Sequence, residues 1–223
     1  MTFSLVARCA RSGQFGMVIS SSSPAVAARC AHVRAGVGAV ASQNITDPAL
    51  GPLVLDRLEA GLSAADALKA VTSGREFIDY RQLLVVDRAG QTAIHSGTQV
   101  LGIWGEARGT DCAAGGNLLA GPGIPAAMVA AFEAAKGHLG ERLMQALEAG
   151  LKAGGEAGPV HSAGLKIADR LSWPVADLRI DWAEDPIGML RAAWDVFAPQ
   201  MGAYVQRAED PTKAPSYGVP GDE

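Results

Sequence analysis

Segments patterned as β-strands occur in this chain in adjacent pairs, and each pair meets at a turn too short to hold a crossover. PAVAARCAHV and AGVGAVASQN meet at Arg34-Ala35-Gly36, and RQLLVVD and QTAIHSG flank Arg88-Ala89-Gly90. Short glycine-containing turns join antiparallel neighbours, whereas parallel neighbours need a connection of about a dozen residues or more. Helical segments pair in the same way. ALGPLVLDRLEA follows Asp47-Pro48, an N-cap acid before a first-turn proline, and stops at Gly61. Ser63-Ala64-Ala65-Asp66 then opens a second helix with a capping-box pattern, which ends at Gly74. IPAAMVAAFEAAKG and HLGERLMQALEAGLKAGG form a second helical pair. The order is ββββ, αα, ββββ, αα, ββ, α, which excludes the alternation of a doubly wound sheet. Strands this apolar require sheets covered on both faces. Two facing sheets, each covered by a helix pair, satisfy the whole pattern, so the sequence predicts an α+β fold built as a four-layer α-β-β-α sandwich.

The remaining strands are QVLGIWGEARG with TDCAAGGNLLA and SAGLKIADR with VADLRIDWAE. A last helix is predicted from Pro186 to Arg207, before the Pro-, Gly- and acid-rich AEDPTKAPSYGVPGDE. The expected organisation is one domain over 1–207 and a loosely held tail over 208–223. Of the 223 residues, 48% are hydrophobic and 5% aromatic, and the formal net charge is −4. With no basic stripe and few aromatic rings, nucleic acid is excluded as a partner. No segment approaches the roughly 20 apolar residues of a membrane span. Arg8 and Arg11 interrupt the first apolar stretch, so no signal peptide is expected. Cys9, Cys30 and Cys112 are odd in number and lack a CxxC spacing. They read as buried, reduced thiols of a cytoplasmic protein.

The opening TFSLVARCARSGQFGMVISSSS is a hairpin. Phe3, Leu5, Ala7 and Cys9 are apolar while Thr2, Ser4 and Arg8 are polar, which predicts a strand with one buried face. If Cys9 lies opposite Gln14, Thr2 lies opposite Ser21. Thr2 follows the first methionine, and methionine removal would give it a free α-amine. A threonine hydroxyl is a poor nucleophile unless a base takes its proton. An α-amine with a pKa of about 7.7–8.0 can be that base, so one residue could supply both groups. Position alone also fits an ordinary strand residue. The serine run Ser20 to Ser23 reads as a solvated strand end, with Ser21 close enough to Thr2 to bind a substrate. Asn117, after Gly115 and Gly116, is either a turn residue or an oxyanion donor. Asn44 is either a helix cap or a substrate-binding amide. His95 in QTAIHSG could titrate near neutral pH. The four histidines have no metal-ligand spacing, so neither a metal nor another cofactor is expected. Gly121-Pro122-Gly123-Ile124-Pro125-Ala126 fits GxGxxA formally, but prolines remove an amide a pyrophosphate needs and the βαβ context is missing.

TFSLVAR, RAGVGAVASQNITDPALGPLVLDRLEAGLSAADAL, RQLLVVDRAGQTAIHSG and GGNLLAGPGIPAAMVAAFEAA resemble an uncharacterised bacterial family, domain of unknown function 1028. The family is grouped with N-terminal-nucleophile (Ntn) hydrolases, and the resemblance extends to about Asp185. It implies the α-β-β-α fold and supplies no substrate. Proteasome-type relatives place a Lys on the third strand; this chain offers Arg29 and Arg34 there instead. Acylase-type relatives use an Arg near the nucleophile. The expectation is an enzyme that hydrolyses an amide of a small molecule. Thr2 attacks, Asn117 or Asn44 stabilises the oxyanion, Arg34 and His95 set charge and orientation, and Ser21, Arg34 and Asn44 bind substrate. The rival expectation is a non-catalytic sandwich that binds a ligand or partner. Its small, Ala/Gly-rich layers also leave room for a homo-oligomer.

Overall fold

In the computed structural model, which describes residues 1–220, the first strand lies inside a sheet rather than at its edge. The chain opens with β1 (Thr2–Arg8), β2 (Phe15–Ser21), a short helix α1 (Val26–Cys30), β3 (Ala31–Arg34) and β4 (Gly38–Gln43). A helical hairpin follows, α2 (Leu50–Glu59) and α3 (Ala64–Thr72), then β5 (Gln82–Asp87), β6 (Thr92–Ser96), β7 (Gly105–Gly109) and β8 (Cys112–Asn117). The second half holds α4 (Ile124–Ala134), α5 (Leu139–Lys152), β9 (Ser162–Ala168), β10 (Ala176–Ile180), α6 (Pro186–Phe197) and α7 (Met201–Glu209). The six-stranded sheet has the order β10-β9-β2-β1-β8-β7 and the four-stranded sheet the order β3-β4-β5-β6. All their pairings are antiparallel. The described residues thus form a mixed α+β fold of two antiparallel sheets and seven helices. No helix among them is long and apolar enough to cross a membrane.

Three apolar clusters hold these elements together. Phe3, Leu5 and Ala7 of β1 pack with Met128 and Phe132 of α4 and Leu143 of α5. Val6 of β1, with Met17 and Ile19 of β2, packs with Ala39 and Ala41 of β4 and Leu84 of β5. Val40, Leu83 and Val85 pack with Val54 and Leu58 of α2 and Leu68 of α3. Each large side chain fully buried in this way stabilises the fold by about 1.5–3 kcal/mol.

The turn chemistry behaves as the sequence predicts. Gly36, Gly61, Gly74 and Gly90 all take positive φ. Ser63 Oγ accepts from the Asp66 amide at 3.2 Å, closing the cap of α3. Four boundaries differ. PAVAARCAHV is not one strand, because its Ala-rich middle winds into α1 before β3 begins. Arg29 Nη1 steadies this turn by donating to the Pro24 and Ala25 carbonyls at 2.7 and 3.2 Å. In QVLGIWGEARG only Gly105–Gly109 pairs as a strand, after a loop that turns at Gly102. Helix α2 starts at Leu50 rather than at Pro48, with Asp47 Oδ1 accepting from the Ala49 amide at 3.0 Å. The last helix is two, α6 and α7, divided at Pro199, whose ring nitrogen has no hydrogen for the ladder. In the expected tail, α7 runs to Glu209 and a short 3-10 turn covers Pro211–Lys213; residues 221–223 lie outside the described residues.

Candidate functional site

The strand register brings the chain start, the serine run and Asn117 together. β1 pairs Thr2 with Asn117 of β8 on one side and Phe3 with Ser20 of β2 on the other. Thr2 Oγ1 lies 3.4 Å from Ser21 Oγ. Both hydroxyls donate to the carbonyl oxygen of Met1. Ser21 Oγ also accepts from the Ser23 amide at 3.0 Å, which fixes its rotamer. A cavity of about 300 Å³ opens here, lined by Thr2, Ser21, Asn44, Asn117, Arg29 and Ile45 among others. Ser20 and Ser21 are fully buried, so the strand end itself is not solvated; Ser22 and Ser23, just past it, are half-buried. Ser162 of β9 covers it, donating to the Ser23 carbonyl at 2.6 Å while accepting from the Val26 amide at 3.2 Å.

The polar face of β1 is buried as well, which corrects the reading of a strand with one buried face. Ser4, Gln43 and Gln82 are fully shielded from solvent. Ser4 Oγ donates to Gln43 Oε1 at 2.7 Å, and Gln43 Nε2 donates to Gln82 Oε1 at 2.8 Å. Asn117 Nδ2 donates to that same Gln82 oxygen at 3.3 Å, and Gln82 Nε2 donates to Ser96 Oγ at 3.1 Å. A buried amide left without partners would cost about 1–3 kcal/mol, so this linked set fixes its members in place. Asn117 donates one of its two amide hydrogens to Gln82, and the residue lines the cavity.

Asn44 has a structural duty. Its Nδ2 donates to the Tyr80 carbonyl at 2.5 Å, and its Oδ1 accepts from the Leu101 amide at 3.2 Å, tying two loops to the cavity wall. Asn44 and Ile45 both have positive φ, 57° and 47°, as do Ala25 at 51° and Leu118 at 51°. Backbone strain at non-glycine residues gathers where surrounding structure over-determines it, and functional sites are the usual place.

Two expected residues are not brought to this cavity. His95 contacts the Ile78 carbonyl through Nε2 at 3.2 Å and lines a separate cavity of about 280 Å³ with Leu68 and Lys69 of α3. Strand alternation explains this, since Ser96 faces Gln82 and its neighbour His95 must face the other way. Arg34 lies at the far end of its sheet, opposite Gly38, and pairs with Asp56 at 2.9 Å and Glu59 at 2.6 Å. The arginine that does line the cavity is Arg29, on α1 rather than on a strand.

Glu156 is the residue that sequence reasoning missed. It is 5% exposed, and both carboxyl oxygens accept from the Ser22 amide at 3.1 Å. Burial pushes its pKa up to about 7, against the opposing pull of the chain-terminal amine, the Ser22 hydrogen bonds and His161. Its loop is closed onto the β8–α4 connection by Ala120 N to Gly155 O at 3.0 Å and Ala157 N to Leu118 O at 3.0 Å. The sequence signal was a single acid inside the glycine-rich 154–158. Among the described residues, no three His, Cys, Asp or Glu side chains gather as a metal-binding group.

The fold and site define a class: a mixed α+β protein with antiparallel sheets and a polar cavity at the start of a central strand. Residues 2–190 match the family described as a family of unknown function, DUF1028, and the chain belongs to that family. A crystal structure of a Silicibacter pomeroyi protein of the same family is 29% identical, with a TM-score of 0.82 over 88% of this chain and 89% of that one. Anbu (ancestral beta-subunit) from Yersinia bercovieri is 11% identical, with a TM-score of 0.40 over 91% of this chain and 97% of that one. A search of curated proteins finds no match.

Proposed function

We propose that this protein is an Ntn-type hydrolase that cleaves an amide bond of a small molecule, on a four-layer α-β-β-α sandwich. The observation that carries this reading is the Met1 carbonyl, an amide oxygen that already accepts from the Thr2 and Ser21 hydroxyls inside the cavity. The same pocket wall can therefore receive a substrate carbonyl once Met1 is removed. In the proposed reaction Thr2 Oγ1 attacks the carbonyl carbon and its proton passes to the freed Thr2 amine. Ser21 Oγ and the second amide hydrogen of Asn117 stabilise the oxyanion. Collapse expels the amine product, which takes the proton from the Thr2 ammonium, and water then hydrolyses the Thr2 ester. Arg29 at the cavity wall, rather than Arg34, supplies the positive charge. His95 has no part in this reading. The interlayer packing of the three apolar clusters supports the four-layer arrangement.

A second reading has its own observation. The Met1 side chain packs beside Gly158, and its amine acts on Glu156, so a retained Met1 is well housed. A chain that keeps Met1 has its Thr2 nitrogen locked in a peptide bond and would be a ligand-binding protein. Intact mass of freshly made native protein separates the two. With Met1-free protein, turnover in a panel of small amides is expected to fall at least a thousandfold in Thr2→Ala while the fold is kept. Retention of Met1, or full activity in Thr2→Ala, overturns the hydrolase.

A further inference from the structure

The other end of β1 carries a larger cavity that this reaction does not use. Thr2 and Arg8 are six residues apart along one strand, about 20 Å at roughly 3.3 Å per residue. The second cavity measures about 590 Å³ and is bounded by the turn after β1, the β7–β8 turn, the end of α4 and Arg142 of α5. Its ionisable lining is Arg8, Arg11, Lys136 and Arg142 against Asp111 and Glu133. An excess of cations is notable in a chain whose net charge is −4. Both acids are already engaged. Asp111 pairs with Arg8 at 3.0 Å, and Glu133 Oε1 accepts from the Thr110 amide at 2.7 Å. Arg11 and Lys136 are exposed and form no ion pair among the described residues.

Arg142 is the fixed element of this lining. Its guanidinium carbon sits 4.0 Å above the Phe132 ring, and Nη2 donates to the Phe132 carbonyl at 3.3 Å. Its Nε is buried and has no hydrogen-bond partner among the described residues. A guanidinium held in one orientation at a cavity wall is suited to an oxyanion, whose geometry it matches. The Cys9 thiol borders the same space. Burial pushes its pKa up, yet hydrogen bonds from the Ser12 side chain and the Ser12 and Arg11 backbone, with the charge of Arg142, bring it below the ordinary value. The turn is thus arranged to favour negative charge. At about 590 Å³ the cavity has room for an organic body beside the anionic group.

We propose that this cavity binds a small organic anion through its phosphate or carboxylate group, held by Arg142 with Arg11 and Lys136. The test uses the full chain at constant ionic strength. Thermal unfolding is followed by circular dichroism, with inorganic phosphate in one arm and succinate in the other. At millimolar concentration at least one anion is expected to protect the fold, raising the Tm by about 2 °C or more, and the effective arm identifies the head group. Arg11→Gln with Lys136→Gln removes two exposed side chains that have no ion-pair partners, so the fold is kept and the protection is lost. Arg142→Lys retains the charge but not the fork and is expected to weaken protection. Failure of both anions to protect, or equal protection in the double variant, overturns the site.

Discussion

At the residue scale, Ile45 stands out. A β-branched side chain at φ 47° is disfavoured by about 1–2 kcal/mol, and at 52% exposure its burial does not offset that cost. Asn adopts the left-handed conformation readily. Ile45→Asn is therefore expected to raise the free energy of unfolding by ~1 kcal/mol, measured by urea denaturation. An unchanged or lowered value would show that the strain is not resident in that side chain. The residues of the cavity were unequally legible in the sequence. Thr2 and Ser21 could be placed together because a hairpin turn fixes strand register by counting. Asn117 was legible as an amide after two glycines, but the Gln82 oxygen that orients it is distant in sequence. Glu156 was illegible for a stronger reason. Its partner is the Ser22 backbone amide, and backbone groups carry no sequence signal.

At the scale of elements, the glycine turns made the hairpins and helix pairs readable, while polar alternation misled. Alternation presents Thr2 and Ser4 as one open strand face, yet Ser4 is satisfied by Gln43 of the opposite sheet. Alternation reports polarity, and polarity marks solvent only where no second sheet supplies the partners. Helix α1 escaped because its five residues are too few to show a period. Close approach between elements leaves a sharper trace at Gly51 of α2. A Cβ there would fall 2.0 Å from Cδ2 of His32 on β3. Gly51→Ala is expected to cost about 1–3 kcal/mol in the native background through overpacking. In a His32→Ala background the sign should reverse, because Ala exceeds Gly in helix propensity by about 1 kcal/mol. Denaturation of the four proteins of this double-mutant cycle measures the coupling. A Gly51→Ala cost that persists without His32 would place the obstruction elsewhere.

At the scale of the whole molecule, Glu156 couples the fold to pH. Its carboxyl joins the 154–158 loop to the end of β2 and feels the charge of the chain-terminal amine and of His161. Burial raises the native pKa to about 7 from an ordinary 4.5, so the native state favours the protonated acid. The sign follows from linkage. The stabilisation is fully present below the unfolded value and is lost as pH rises through the folded one. The interval from 4.5 to about 7, at about 1.4 kcal/mol per pH unit, is worth ~3 kcal/mol. Glu156→Gln keeps the shape and stays neutral throughout. The stability of the variant relative to the parent should therefore climb by ~3 kcal/mol between pH 4.5 and pH 8, with most of the rise complete by pH 7. Guanidinium denaturation at intervals of half a pH unit reads this difference directly. A constant difference across the range would mean that the buried carboxyl is ionised throughout, held by the chain-terminal amine more strongly than burial opposes it.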